Sequence, residues 1–403
     1  MMDASTNLGR PLDGLRVIDL SAVWAMPGAG MYLADQGADV IKVEPPEGDI
    51  GRWLLAAPAI ADRSRAFWML NRNKRSVALD LKKPGALDVL HRLLQDADVV
   101  MHNFRPGVAE RIGCGYEHVS SFNPGIIYVS FSAWGAKGPK AFGRGYDLLL
   151  QARSGILARR RRDGQPQPAG LFAVDMASSM LVAYAVALAI IQRGRTGRGQ
   201  LIEGSLLQTA LGLQKSDMVR LIGHDEPPYD SGVVEVPIFS AYRCADESYM
   251  QIVIISENEW EGLVRALELD PDEVNQKFGS IAARRDNADD LRSRLEERFG
   301  RRTGAEWETI LDTHDVPAQR VFTSTDVFAD PQLQANDALV KIDQPGIGQL
   351  QMLGLPFRLS HADGYEFTAA PELGQHTREV LGEFEFDPDA IDTLLRDGVA
   401  VQA

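Results

Sequence analysis

Cysteine is nearly absent from this chain: Cys114 and Cys244 are the two in 403 residues. Far apart in sequence, they exclude a disulfide framework and point to a reducing compartment, with both read as buried or incidental thiols. Positive charge is also short. Against 56 acidic residues stand 42 Lys and Arg, a formal net charge of −14. That balance excludes a general nucleic-acid binder, whose phosphate contacts need a basic face, although a few local arginines suffice for a phosphorylated small ligand. Long apolar runs are missing as well. The one membrane candidate, Met176 to Ile191, would span about 24 Å as a helix, short of the roughly 30 Å hydrocarbon core. It also contains Ser178 and Ser179, so it reads as a buried core helix, apolar on all sides. The opening MMDASTNLGRPLDGL has neither a basic nor an apolar stretch of the secretory kind. The expectation is a cytoplasmic protein that engages no membrane and no nucleic acid.

What is present is an ordinary globular composition, 45% hydrophobic and 24% charged, at a length where single cores usually split into two domains. Leu15–Leu20 is a short β-rich run, Pro27–Gln36 a helix closed by Gly37, and Asp39–Val43 a second strand. This βαβ pattern implies a parallel pair. It continues through a strand at Ser76–Leu81, a helix at Pro84–Gln95, a strand at Asp98–Met101, a short helix near Pro106–Arg111 and a strand at Ile126–Phe131. An open, mostly parallel α/β sheet follows. Pro227–Pro237 interrupts the pattern. Beyond it, Ser240–Cys244 and Tyr249–Ile255 read as an antiparallel pair, followed by amphipathic helices around Glu259–Leu267, Asp289–Phe299 and Gly304–Thr313. Strand-like runs return after Val340, and Pro371–Leu381 is helical in character. The division expected is a large domain from 10–215 and 330–403 and a small α+β domain at 225–325. Arg159–Arg162 is a dense basic run, read as a solvated loop.

The most informative stretch is Ala169–Gly204, AGLFAVDMASSMLVAYAVALAIIQRGRTGRGQLIEG. Asp175 stands at the head of its apolar run, and Gln192-Arg193-Gly194 reads as the helix end with a left-handed glycine. Asp175 thus occupies an N-cap or first-turn position. Two roles fit: a cap on a buried helix, or a nucleophilic carboxylate kept ionised by a helix dipole worth about 0.3–1 kcal/mol. Gly28-Ala-Gly30 faintly echoes a dinucleotide fingerprint, but Leu33 replaces the third small residue and Ser21–Pro27 separate the motif from its strand. Helix packing by small residues is the reading taken.

Several stretches together resemble the family III CoA-transferases, the CaiB–BaiF family. They are PLDGLRVIDLSAVWAMPGAGMYLADQGADVIKVEPPEGD, NRNKRSVALDLKKP, ADVVMHNFRPGVAERIG, NPGIIYVSFSAWGAKGP, GRGYDLLLQARSG, TGRGQLIEGSLLQTAL, DPQLQ and PELGQHTREVL, in order along nearly the whole chain. The resemblance implies a Rossmann-like large domain with a smaller domain, and two ring-shaped chains interlocked as a homodimer. It places Asp175 at the family's catalytic aspartate. Transfer of CoA between two carboxylic acids then proceeds through an acyl anhydride and an aspartyl-CoA thioester on that residue. A carboxylate suits the role because it both attacks and leaves, and developing oxyanions need nearby donors such as glycine-rich backbone.

For CoA the resemblance points to Ala25, Leu79, Asp80, Leu81, Lys82, Asn103, Phe104, Arg105, Arg111, Arg144, Tyr146 and Asp147. Arg105, Arg111 and Arg144 suit phosphates by charge. CoA is substrate and product, and neither a metal nor a tightly bound cofactor is implied. Three departures from the family bear on substrate. Trp24 stands where formyl-CoA transferases have a glutamine facing the acyl group, which makes it a wall of the acyl pocket. The region after His224 lacks their tetraglycine loop. Tyr146-Asp147 stands where the family's α-methylacyl-CoA racemases carry His-Asp. Two rival readings are a racemase, with Tyr146, Asp175 and Glu257 carrying protons, and an acyl-CoA-binding subunit without turnover. Family substrates range over small dicarboxylates, carnitine-like, steroid and aryl acids, and nothing in the sequence selects among them.

Overall fold

The computed structural model describes residues 9–60, 62–159, 161–223, 236–362 and 364–403. The chain divides into two compact units, residues 1–229 with 337–403, and residues 230–336. The first is built on a seven-stranded sheet. Its strands are β1 (Arg16–Asp19), β2 (Asp39–Glu44), β3 (Lys74–Leu79), β4 (Val99–His102), β5 (Ile127–Ser132) and β6 (Gln200–Ser205), with Ala400–Val401 from the C-terminus. The spatial order is Ala400–Val401, β3, β2, β1, β4, β5, β6. All neighbours run parallel except Ala400–Val401 against β3. The order 3-2-1-4-5-6 is the doubly wound arrangement, whose direction reverses between β1 and β4 and opens a crevice at their carboxyl ends.

Strand alternation feeds two cores. Val17, Val40, Met101 and Val129 face α1 (Ala25–Asp35) and a long helix described below. Ile18, Ile41, Val77 and Tyr128 face the other way and pack with Leu90 and Leu93 of α2 (Ala86–Gln95). Further along the chain come α3 (Asp147–Ser154) and the long helix itself, α4 (Ala173–Thr196).

Helix α4 corrects two expectations. Its left-handed glycine is Gly197 (φ +70°), whose N–H reaches Arg193 O at 2.8 Å, so Gly194 lies inside the helix. Burial all round also fails. Val174, Ser178, Val182, Val186 and Ala189 are buried, while Met180, Leu181, Tyr184, Leu188 and Ile191 are exposed. A single chain supplies a core for one face only. By length and composition, α4 is the one helix among the described residues apolar enough to cross a membrane. Arg159–Arg162 is not simply a loop: a short helix ends at Arg159, and Arg161-Arg162 pairs with Gln165-Pro166 as a hairpin.

The glycine pair of the sequence serves packing. A methyl group on Gly28 would lie 2.3 Å from Ser179 Oγ of α4, and one on Gly30 would lie 3.1 Å from both Asp19 Oδ2 and Lys74 Nζ. Ser179 Oγ in turn donates to Ala25 O at 2.7 Å, locking the first turns of α1 and α4 together.

In the second unit, Tyr249–Ile252 is the central strand between Ala241–Arg243 and Ala318–Arg320, all antiparallel. Tyr242, Trp260, Leu263, Leu295, Phe299 and Trp307 fill its core. Helix Glu257–Ala266 starts two residues ahead of the sequence reading because Ser256 and Glu259 form a capping box.

Gly28→Ala should lower the unfolding free energy by about 1–3 kcal/mol, since the added methyl must push α1 off Ser179. Denaturant melts check this, and a variant stabilised by alanine's helix propensity would refute the close-packing account.

Candidate active site

The loops after β1, β4 and β5 meet at the carboxyl ends of the strands, where the order reverses. They enclose a cavity of about 330 Å³. Its wall includes Ala22–Ala25 after β1, Asn103–Pro106 after β4, Phe131–Ala133 at the end of β5, and Gly143–Tyr146 ahead of α3. Ala141, Asp175 and Leu206 complete it. A methyl group on Gly145 would fall 2.2 Å from Ala133 Cβ, so this approach of the two ends of the β5–α3 connection requires glycine.

Asp175 is in the first turn of α4, whose N-cap is Phe172. It does not cap the helix. Asp147, the first residue of α3, performs that task from outside: its Oδ2 accepts the Asp175 N–H at 2.9 Å, and its Oδ1 holds Gln151 Nε2. The Asp175 carboxylate therefore has no hydrogen-bond donor among the described residues, although only 8% of the residue is exposed. Burial, and secondarily the neighbouring Asp147 charge, push its pKa up to about 7. The expectation of a carboxylate held ionised by the helix dipole is thus corrected: desolvation and a like charge raise its pKa instead.

A second helix start adjoins. Trp24 is the N-cap of α1, and its ring meets that of Phe172 edge to face, centroids 4.2 Å apart. Neither helix N-terminus carries a capping side chain of its own, so two positive dipole ends lie beside one cavity. The β4 loop is held by His102. Its Nδ1 accepts the Phe104 N–H at 3.2 Å, so Nε2 carries the proton toward Tyr128 OH at 3.0 Å, and Tyr128 donates to Cys114 O. Burial lowers the His102 pKa to about 4, which keeps this relay neutral.

Of the residues singled out from sequence, Asp175, Trp24, Ala25, Asn103, Phe104, Arg105, Arg144 and Tyr146 line this one cavity. Leu79–Lys82 lie at the carboxyl end of β3, and Arg111 is exposed in the short helix Val108–Ile112. None of these five lines the cavity. Asp147 sits behind Asp175 with both oxygens engaged. Glu257 belongs to the second unit, where it binds Arg284. The stretch after His224 falls outside the described residues through 235. Ala22, Val23, Ser132, Ala133 and Leu206 were not anticipated. The first four lie just after β1 or at and just after the end of β5, where the strand-end rule for open α/β sheets would have found them; Phe172 carried no such signal.

A doubly wound sheet with a carboxylate-bearing cavity at its switch point marks an α/β ligand-binding site. The sequence profile of CoA-transferase family III matches residues 12–377, and the chain belongs to that family. It is 32% identical over 398 residues to the succinyl-CoA:glutarate CoA-transferase of Mus musculus, covering 98% of this chain and 91% of that protein. A succinyl-CoA–D-citramalate CoA-transferase of Chloroflexus aurantiacus is 31% identical, with 92% and 93% covered. Among solved structures, a CaiB/BaiF family protein from Brucella suis superposes with a TM-score of 0.79 at 30% identity, covering 93% of this chain and all of that one.

The raised Asp175 pKa has a stability consequence. Its carboxyl titrates near 3.9 when unfolded and near 7 when folded. Below both values the group is neutral in each state and costs nothing; the penalty grows as pH rises and is complete above the folded pKa. Asp175→Asn should therefore stabilise the protein by about 1–3 kcal/mol at pH 8 and by little at pH 4. Melts of both proteins at the two pH values test the sign, and equal differences at both would refute the raised pKa.

Proposed function

We propose that this protein moves CoA from an acyl-CoA to a free carboxylic acid, with Asp175 as covalent nucleophile. The observation that carries the reading is the unpartnered Asp175 carboxylate in the wall of the switch-point cavity of a family III chain. The carboxylate attacks the thioester carbonyl, forming an acyl-aspartyl anhydride and expelling CoA thiolate. The thiolate attacks the aspartyl carbonyl, releasing the first acid and leaving an aspartyl-CoA thioester. The acceptor carboxylate attacks that thioester to form a second anhydride and thiolate again. The thiolate then takes the new acyl group and frees Asp175. No net proton is needed, and the start of α1, which has no capping side chain, is a candidate source of N–H donors for the developing oxyanions.

Arg105 and Arg144 in the cavity wall supply charge for the CoA phosphates. The nucleotide end would continue along the sheet's carboxyl edge toward Arg111 and Leu79–Lys82, with 10–215 and 330–403 as the CoA-binding domain and 225–325 as the smaller one. Trp24, with Leu206 and Phe131, walls the acyl chain. The names of the mouse and Chloroflexus relatives support a succinyl-CoA donor and a small dicarboxylate acceptor. A second reading, proton exchange at Cα of an acyl-CoA, draws support from an Asp175 pKa near 7 and from Tyr146 in the same wall. The exposed apolar side of α4, Met180, Leu181, Tyr184, Leu188 and Ile191, supports a second copy covering it in a homodimer.

Asp175→Asn should abolish exchange between succinyl-CoA and a panel of dicarboxylates, a loss of at least about 10³-fold, while CoA still binds. Hydroxylamine added during turnover should mark Asp175 by mass spectrometry. Retained exchange without an adduct would end the transferase reading, and deuterium entering Cα from solvent would favour the racemase. For assembly, light scattering should give twice 44.3 kDa, and stability should rise with protein concentration. A concentration-independent monomer would rule out the dimer.

A further inference from the structure

Val23 lies in the left-handed region, φ +73°. Among the described non-glycine residues with positive φ it is the sole β-branched one; the others are Leu55 and Asp, Asn or Glu. For a β-branched side chain this is a genuine outlier, which persists only where surrounding contacts over-determine it. Here they do. The Ser21 N–H donates to Asp19 Oδ1 at 3.0 Å, and Ser21 O accepts from Lys42 Nζ at 2.8 Å. Asn103 closes both polar groups of Ala22, accepting its N–H at 3.0 Å and donating to its carbonyl at 2.7 Å. The Val23 N–H points at Asp49, 3.0 and 3.2 Å from its two oxygens. Asp49 is itself fixed by Lys42 Nζ at 2.9 Å and by the Gly51 N–H at 2.8 Å, and both charged side chains are buried. Every backbone polar group from Ser21 N to Val23 N is thus taken by a side chain of another segment or of Asp19.

The distorted residue borders the cavity. Ala22 and Val23 line it, and Trp24 and Ala25, the next two residues, line it beside Asp175. We infer that Asp49, backed by Lys42 and Asn103, is a positioning residue: it clamps Val23 in a conformation valine resists, so that the chain turns from β1 into α1 with Trp24 and Ala25 set against Asp175. Without the clamp, Val23 relaxes to negative φ and the wall of the cavity moves. The inference rests on the transferase reading for what the wall acts upon, while the clamp stands on geometry alone.

The test is a rescue. Asp49→Ala removes the acceptor for the Val23 N–H, and exchange between succinyl-CoA and dicarboxylates should lose about tenfold or more in kcat, with KM for the acyl-CoA changed by less than about threefold. Adding Val23→Gly should restore most of that loss, because glycine holds φ +73° unaided. A merely structural Asp49 would not be rescued by a change at Val23. Asp49→Asn, which keeps one oxygen for the N–H, serves if the alanine variant does not fold, with a smaller loss and the same rescue. Val23→Gly alone should also raise the melting temperature, a readout independent of activity. Wild-type kcat in the Asp49 variants, a double variant no better than the single, or a lowered melting point for Val23→Gly would each overturn the inference. Failure of the transferase reading shows differently: the wild type itself does not exchange CoA, which removes the clamp's catalytic use, while the melting measurement still judges the clamp.

Discussion

Two fully buried lysines govern how the first unit is put together. Lys42 of β2 pairs with Asp49, and Lys74 of β3 pairs with Asp19 of β1 while also reaching Pro27 O and Asn71 Oδ1. Glu44, paired with Arg52 and bonded to Ser76 Oγ, extends the cluster. Burial works against ionisation of Asp19, yet Lys74 and Lys42 beside it hold its carboxyl below the usual range. For Lys74 burial dominates and its pKa falls to about 8. Ion pairs of this kind contribute little net stability, but breaking one leaves an uncompensated charge costing about 3–5 kcal/mol. Their value is specificity of arrangement. One strand register and one seating of α1, with Gly30 against the Asp19–Lys74 pair, satisfies all of these groups together.

From that arrangement the site follows by short steps. Because α1 is pinned over β1 and β3, and Ser179 ties it to α4, the two helices begin side by side. Their N-caps, Trp24 and Phe172, touch, and the cavity opens where the strand order reverses. Asp147 then takes the capping role at α4, leaving the Asp175 carboxylate free. The site is a consequence of where two helices start, more than of any single loop.

Much of this was legible in sequence. Apolar runs alternating with helical segments pointed to the parallel sheet, and Asp175 heading an apolar run marked the helix start. What stayed hidden was long-range. Capping by Asp147 joins residues 28 apart in sequence through a carboxylate that has no local signature. The end of α4 at Gly197 instead of Gly194 turns on which glycine the tertiary packing leaves outside the helix. The apolar run of α4 looked like all-round burial because sequence reports hydrophobicity, not which surface covers it. Strain at Val23 had no signal either, since valine is the residue a pattern would place in a strand.

Under the transferase reading, a carboxylate with a pKa near 7 is an odd nucleophile until its whole proposed cycle is considered. Relative to an ordinary aspartate, that raised pKa sets a few kcal/mol against the anion. The free energy is carried by the free carboxylate alone. Once Asp175 becomes an anhydride or a CoA thioester, its charge is gone, and both the desolvation and the repulsion from Asp147 vanish with it. The environment that makes the anion reluctant thus favours each covalent state relative to the resting enzyme, and it raises the basicity of the attacking oxygens. Substrate acids in water keep their low pKa values and leave readily from the anhydride. Under the transferase reading, the same two buried carboxylates, Asp147 and Asp175, therefore bias every step toward holding the acyl or CoA group on the protein while the two acids exchange.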